Sequence, residues 1–334
     1  MIDTGTDIEF AAKCIAEGNL VAFPTETVYG LGADAFNPYA VARIFEVKQR
    51  PTFDPLIVHI SEMNQINDLY DSDISDIVYA LAQAFWPGPL TIVHLKSARV
   101  PDIVTAGLNT VAVRMPSHPI ALELIRLSGT AIAAPSANRF GQLSPTRSEH
   151  VQKQLTDVAY LLENEYEMVG VESTVVSIQN GKCILLRPGA ISLTDINKVV
   201  PCTVFNKDSS LDKLHAPGLL KSHYSPNKPL YILAEDINNL PLNSGLILHK
   251  KLTTITNANR IISTSETQNS TEIAANLFIA LHTMEDDTTV SQIFIEPVEE
   301  TDLGVAIMDR IRKASYRYNL NLVESKVIPN RLST

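Results

Sequence analysis

The sequence predicts two α/β domains in one chain. The N-terminal one is larger and built on a twisted mixed sheet; the C-terminal one is smaller and built on a parallel sheet; a long linker joins them. Three observations carry this reading. The chain has 334 residues, and a domain takes roughly 150. Up to residue 205, short apolar runs follow one another with too few helices between them for a simple doubly wound sheet. From residue 229 onward, apolar runs and helical periods alternate. The boundaries read as 1–205, a linker at 206–228, and 229–334.

Taken in order, "DIEFAAKCIAEG" places Ile8, Ala11, Ala12 and Ile15 on one helical face, with Gly18 as a stop. "NLVAFPT" is a strand. "NPYAVARIFEVK" is a helix with Asn37 as N-cap and Pro38 at its first position. "PLIVHI" is a buried strand, and "SDIVYALAQAFW" is a helix that stops at "PGP". "LTIVHL", "TVAVRM", "TAIAAPSA", "STVVSI" and "CILLRP" read as strands, interrupted by helices at "HPIALELIRLSG" and "SEHVQKQL". The segment "NKDSSLDKLHAPGLLKSHYSPNKP" shows no sustained period. A linker of that length is either disordered or functional. Beyond it, "LYILAED", "GLILHK", "RIISTS" and "QIFIEPV" are strands. "STEIAANLFIALHTMED" is a helix with Ile273, Leu277, Leu281 and Met284 on one face, and Asn269 with Glu272 as a capping box. "GVAIMDRIRKASY" is the last helix.

Composition narrows the class. Hydrophobic content of 45% and charged content of 19% describe a folded, soluble protein. A net charge of −10 argues against a surface that grips nucleic acid throughout, while leaving room for a local basic pocket. Cys14, Cys183 and Cys202 are scattered, there is no CxxC, and the eight histidines lack metal-ligand spacing, so neither a disulfide scaffold nor a zinc site is expected. The first residues lack the charge pattern of a signal peptide, and no apolar run is long enough to span a membrane. A reducing cytoplasm is the expected location.

Four stretches hold more polar residues than packing needs. "PTETVYGLGA" carries Thr25, Thr27, Tyr29, Gly30 and Gly32; taken alone it reads as a strand-to-helix turn with glycines for positive φ. "EVKQRPTFDPL" brings Lys48, Arg50 and Asp54 into a proline-stiffened loop. Helix-dipole complementarity explains one cation there but not the rigid loop. "TVAVRMPSHP" sets Arg114 inside a strand pattern, pointing either to solvent or into a pocket with an anion. "AIAAPSANRFGQLSPT" runs from a strand into Ser136, Asn138, Ser144 and Thr146, either a polar turn or a phosphate-facing loop. GxxxxGK[ST], GxGxxG and GxSxG are all missing.

In this order, "FPTETVYGLGA", "KQRP…DPLIVHI", "FWPGPLT", "VAVRMPSHP", "AAPSANRFGQLSPT", "ESTVV" and "LRPGAI" resemble threonylcarbamoyl-AMP synthases of the YrdC-like fold. The resemblance covers residues 7 to about 195 and resumes at "APGLLKSHYSP", the linker signature of the two-domain members. Residues 229–334 are similar to their Rossmann-like C-terminal domain. The resemblance implies that L-threonine, bicarbonate and ATP give threonylcarbamoyl-AMP and pyrophosphate. Downstream tRNA threonylcarbamoyl-transfer proteins would then modify an adenosine beside the anticodon. It implies ATP contacts at Lys48, Arg50, Asp54, Thr110, Ser136, Asn138, Ser144, Arg187 and Tyr224, the last in a linker that folds over the site as a lid. It implies a threonine site at Thr27, His59, Arg114, Ala134 and Thr174, with Arg114 on the carboxylate. Lys48, Arg50, Ser136 and Asn138 would supply catalysis by positioning and charge. Mg2+ would ride on the triphosphate, held mostly by phosphates and water. No metal ligand is assigned to the protein, and Asp54, often Asn in the family pattern, is the residue whose chemistry would suit one. Stable tRNA binding is not expected. The competing reading is an RNA-binding module that uses the concave face of the first domain.

Overall fold

The computed structural model describes residues 2–163, 168–205, 224–233, 237, 240–251 and 256–325, with residues 319–325 by backbone alone. Of the expected lid, 206–228, residues 206–223 lie outside the described residues. The chain divides into two compact units: Met1–Phe140 with Ser144–Leu219, and Gly141–Leu143 with Leu220–Thr334.

The first unit runs β1 (Thr4–Gly5), α1 (Ile8–Ala16), β2 (Val21–Phe23), β3 (Gly30–Asp34), α2 (Pro38–Lys48), β4 (Ile57–His59), α3 (Ile66–Leu69), α4 (Asp76–Phe85), β5 (Leu90–Leu95), α5 (Asp102–Thr105) and β6 (Thr110–Arg114). It continues with α6 (Pro119–Ser128), β7 (Ile132–Ala133), α7 (Ser148–Gln154), β8 (Tyr160–Leu162), β9 (Thr174–Gln179), β10 (Lys182–Arg187), α8 (Leu193–Val199) and β11 (Cys202–Val204). The strands form one mixed sheet in the order β1-β8-β2-β3-β7-β4-β6-β5-β9-β10-β11. Alternation along each strand sends neighbouring side chains to opposite faces. One face is sealed throughout: Leu31, Val58, Ile92 and Val113 pack with Val41, Ile44 and Phe45 of α2 and Val78, Leu81 and Ala82 of α4. The other face is covered at one end, where Ala11, Ala12 and Ile15 of α1 and Ala121, Leu124 and Ile125 of α6 lie on Val21, Phe23, Ile132 and Leu162. Next to this cover the same face carries a small cluster of Ile57, Val93, Ala112, Val175 and Leu186.

The caps follow the sequence. The Asn37 side chain accepts from Tyr39 N and Ala40 N, with Pro38 at the first helical position. "PTETVYGLGA" departs from its expectation. Gly30–Asp34 is a strand, and neither Gly30 nor Gly32 has positive φ. These glycines are required by close approach instead. A Cβ on Gly32 would lie 2.7 Å from both Ile132 Cγ2 and Phe23 Cε1.

The second unit contains β12 (Leu230–Ile232), β13 (Ser244–Leu248), β14 (Arg260–Ser263), α9 (Ser270–Asp286), β15 (Gln292–Ile295) and α10 (Leu303–Ser325). Its sheet, β12-β15-β13-β14, is parallel throughout. The predicted α9 stripe of Ile273, Leu277, Leu281 and Met284 is buried. Asn269 caps α9 as expected, but Glu272 does not complete a capping box; its Oε2 accepts from Ser265 Oγ at 2.6 Å. The Ser265 hydroxyl also accepts from Thr267 N and Asn269 N, so it ties the loop before α9 to the first helical turn.

Gly32→Ala should cost about 1–3 kcal/mol, because neither a branched Ile nor an aromatic ring yields easily to an added methyl. Urea unfolding of the first unit, with a lowered midpoint and unchanged slope, checks this.

Candidate active site

The partly covered face of the first sheet carries the chemistry. Thr110, Ala112 and Arg114 point to one side of β6. β4 runs parallel beside it, with Ile57 opposite Ala112 and His59 opposite Arg114. Arg114 is therefore inward-facing, only 3% exposed, and the choice that the sequence left open is resolved toward a buried cation.

The turn after β2 meets it. Thr25 Oγ1 accepts from Thr27 N and Val28 N and donates to Val28 O, which holds the turn in shape. Arg114 Nη1 then donates to Thr27 Oγ1 at 3.0 Å, and Arg114 Nη2 lies 2.7 Å from Glu26 Oε1. His59 is buried beside them, and its ring meets Phe23 edge-on at 6.2 Å. Burial, and then the Arg114 charge, push the imidazole pKa down to about 3, so it is neutral at physiological pH. Ala134, the residue after β7, closes this group. Its N–H is committed to Ile57 O at 2.9 Å, so its carbonyl is the backbone group it can offer. Thr174 is less available. Its hydroxyl donates to Ile191 O at 2.7 Å and accepts from Ile191 N at 2.9 Å, clasping the chain after "LRPGA".

A second group forms where α2 ends. Gln49 turns left-handed, and Lys48 and Arg50 both fold inward, 1% and 9% exposed. Lys48 Nζ donates to the carbonyls of Ser136 and Asn138, and Phe140 N returns a bond to Lys48 O. Ala137 N donates to Tyr29 O, and Leu31 N to Pro135 O, so the loop at 135–138 is stitched to β3 as well. Burial, then the neighbouring Arg50, drive the Lys48 pKa well below its ordinary value, while Asp54 opposes them. Arg50 donates to Asp54 O and Pro55 O, and its Nη2 pairs with Asp54 Oδ2 at 2.8 Å. Asp54 is thus the partner of Arg50, and its negative charge is offset within its own loop.

The structure brings Lys48, Arg50, Asp54, Ser136 and Asn138 together, and Thr27, His59, Arg114 and Ala134 together. The others have contacts of their own. Ser144 Oγ donates to Glu172 Oε1 at 2.6 Å. Arg187 donates to Ser173 O and Ser173 Oγ, and that hydroxyl also meets Thr91 Oγ1. Thr110 stands at the opposite end of β6 from Arg114, roughly 13 Å along the strand. Tyr224 belongs to the second unit, where it is 1% exposed; its ring lies 5.7 Å from that of Phe278 and 5.3 Å beneath the Arg310 guanidinium. Sequence reasoning missed Glu26, Glu172 and Ser173. The signal for Glu26 was the triple polar run Thr25-Glu26-Thr27 after an apolar strand. Among the described residues no group of three or more His, Cys, Asp or Glu could hold a metal ion, and no helix is long and apolar enough to cross a membrane.

A family model described as Telomere recombination matches residues 13–189, and one described as Threonylcarbamoyl-AMP synthase, C-terminal domain, matches residues 191–315. The chain is 43% identical to a threonylcarbamoyl-AMP synthase of Pyrococcus abyssi over 92% of its own length and 94% of the relative's. It is 39% identical to that of Bacillus subtilis, over 91% and 92%. A crystal structure of P. abyssi Sua5 complexed with L-threonine superposes with a TM-score of 0.85 at 39% identity, covering 95% of this chain and 98% of the other.

A His59 that is neutral in the fold binds its proton only in the unfolded chain below its ordinary pKa of 6.5. Stability should therefore fall as pH drops from 6.5 toward about 3, by about 1.4 kcal/mol per pH unit from this residue. His59→Gln should flatten that part of a plot of urea midpoint against pH, and an unchanged acid slope would contradict the neutral assignment.

Proposed function

The chain belongs to the threonylcarbamoyl-AMP synthase family, and we propose that it makes threonylcarbamoyl-AMP and pyrophosphate from L-threonine, bicarbonate and ATP. The observation that carries this reading is the buried Arg114, set on one sheet face beside a neutral His59 and the Thr27 hydroxyl. A guanidinium 3% exposed needs anionic partners; Glu26 is one, and that contact still leaves Arg114 Nε and Nη2 without a hydrogen bond, which an amino acid's carboxylate would take. The relative solved with L-threonine has the same fold over nearly its whole length.

In this reading the amine of threonine and bicarbonate form a carbamate. A carbamate oxygen then attacks the α-phosphorus of ATP, and pyrophosphate leaves. The protein contributes placement and charge, with no covalent nucleophile. Arg114 and Thr27 take the carboxylate, and the Ala134 carbonyl and His59 border the reacting amine. Arg50, held by its own loop, and the Ser136–Asn138 loop, pinned by Lys48, face the phosphates. Ser144, Arg187 and Thr110 act on the nucleotide at longer range, and Thr174 shapes the loop beneath it. Mg2+ travels with the triphosphate as part of that substrate; the pairing of Asp54 with Arg50 suits a neutral loop floor better than a metal ligand. The product serves a cytoplasmic tRNA-modification route, taken up by proteins that transfer the threonylcarbamoyl group to adenosine. Residues 206–228 serve as the connection between the 1–205 and 229–334 domains.

Pyrophosphate release from ATP should require threonine and bicarbonate together. Arg114→Ala should weaken threonine binding at least roughly tenfold, the low end of a lost charge-assisted bond, and leave ATP binding within about twofold. Calorimetric titration of each ligand separately checks the split, and parallel losses would contradict it. Because burial lowers the Lys48 pKa, an arriving triphosphate raises it again. As pH rises toward the ordinary lysine value of 10.5, ATP binding should then take up protons, seen as a dependence of binding heat on the buffer's ionisation enthalpy. Lys48→Met should remove that dependence.

A further inference from the structure

We propose that Glu26 binds the α-ammonium group of the amino-acid substrate and takes the proton released when the amine becomes a carbamate; this rests on the reaction given above. Glu26 sits between Thr25 and Thr27, its side chain 13% exposed, and its backbone carbonyl accepts from Val169 N at 2.7 Å. Its Oε1 lies 2.7 Å from Arg114 Nη2. Yet neither carboxylate oxygen accepts a hydrogen bond from a described residue, and Arg114 Nε and Nη2 donate none. A carboxylate that serves only to orient an arginine forms the two-bonded fork that both groups favour. Here the charges touch and the directional bonding capacity of both is unspent. Thr27 Oγ1 already orients Nη1.

A cation and an anion side by side, each with free donors or acceptors, is the complement of a zwitterion. The substrate's carboxylate turns toward Arg114 and its ammonium toward Glu26. The other groups around Arg114 (His59, Thr25, Thr27 and Ala134) carry no negative charge, and His59, being neutral, adds no second cation. Glu26 is the anion that this cluster offers.

The chemistry needs such a group. An ammonium has no lone pair and must lose a proton before it attacks. Of its three N–H protons, one passes to the Glu26 carboxylate. The nitrogen then bonds to the carbon of bicarbonate, whose C–O(H) bond breaks. A second N–H proton leaves with that hydroxide as water, and the third stays on the carbamate nitrogen. Ammonium plus bicarbonate thus gives carbamate, water and one proton, and the proton rests on Glu26.

The test is a cycle of two ligands and three proteins, read by calorimetry on the full chain: L-threonine and its α-hydroxy counterpart, 2,3-dihydroxybutyrate of matching configuration, with wild type, Glu26→Gln and Glu26→Asp. Glu26→Gln should weaken threonine about tenfold or more and the hydroxy acid less than about threefold. Glu26→Asp, which keeps the charge, should keep most of the preference for threonine and remains a test if Glu26→Gln fails to fold. The maximal rate of pyrophosphate release should fall in Glu26→Gln even at saturating threonine. Equal weakening of both ligands would mean that Glu26 only props Arg114, and unchanged affinity for both would remove it from the site; either result overturns the proposal. Wild-type protein that binds threonine but releases no pyrophosphate overturns the reaction reading, while the ligand preference still decides whether Glu26 holds the ammonium.

Discussion

Arg114 ends a strand inside the protein, and much of the first unit is arranged around that fact. A guanidinium cannot shed its charge, so burying it demands partners. β4 and β6 run parallel in register, which sets His59 directly beside it. The cation helps to keep that imidazole neutral. The turn after β2 comes across to supply a hydroxyl and a carboxylate. That turn holds its shape because Thr25 bonds back to it and because Val169 N and Gly170 N donate to Glu26 O and Thr27 O, while the strand after it runs tight against Phe23 and Ile132. The two glycines of β3 are thus part of how the cation is housed.

Lys48 is handled differently. Its ammonium is spent on two backbone carbonyls of the loop that follows β7. It therefore acts on loop geometry first, and its own charge is weakened by burial and by Arg50. Arg50 keeps its charge and is oriented by its own loop, through Asp54 and Pro55. The two cations of a three-residue motif thus divide, Lys48 holding the loop after β7 and Arg50 its own loop. A sequence shows both as positive and cannot show this division.

Much of the architecture was legible because it is local. Helix caps at Asn37 and Asn269, the apolar stripe of α9 and the parallel pattern of the second unit all follow from residues close in sequence. What failed was non-local. Gly30 and Gly32 looked like turn residues because the sequence does not reveal that Phe23 presses on both, with Ala134 on Gly30 and Ile132 on Gly32. Strands as short as β1, β8 and β11 have no period of their own and exist because a neighbour offers a free edge. In the site, Lys48, Arg50, Ser136 and Asn138 stand out by residue type; Lys48 bonds the Ser136 and Asn138 carbonyls, while Arg50 bonds its own loop. Glu26 was passed over because its significance depends on a strand nearly ninety positions away. Glu272 shows the same limit on a smaller scale, since a serine before the helix outbid its own backbone.

The edge of the first sheet sets an order of events. β1 is paired to β8 alone, with Thr4 facing Leu161, and β2 needs β8 on its outer side. A chain emerging from a ribosome carries these first strands long before their partner exists. The turn bearing Glu26 and Thr27 hangs from β2, so it stays on an unfinished edge until residues 160–162 and then 169–170 arrive to bond it. The amino-acid site is therefore assembled late, after about three-quarters of the first unit has been made. A fold of such long-range pairing is slow to complete.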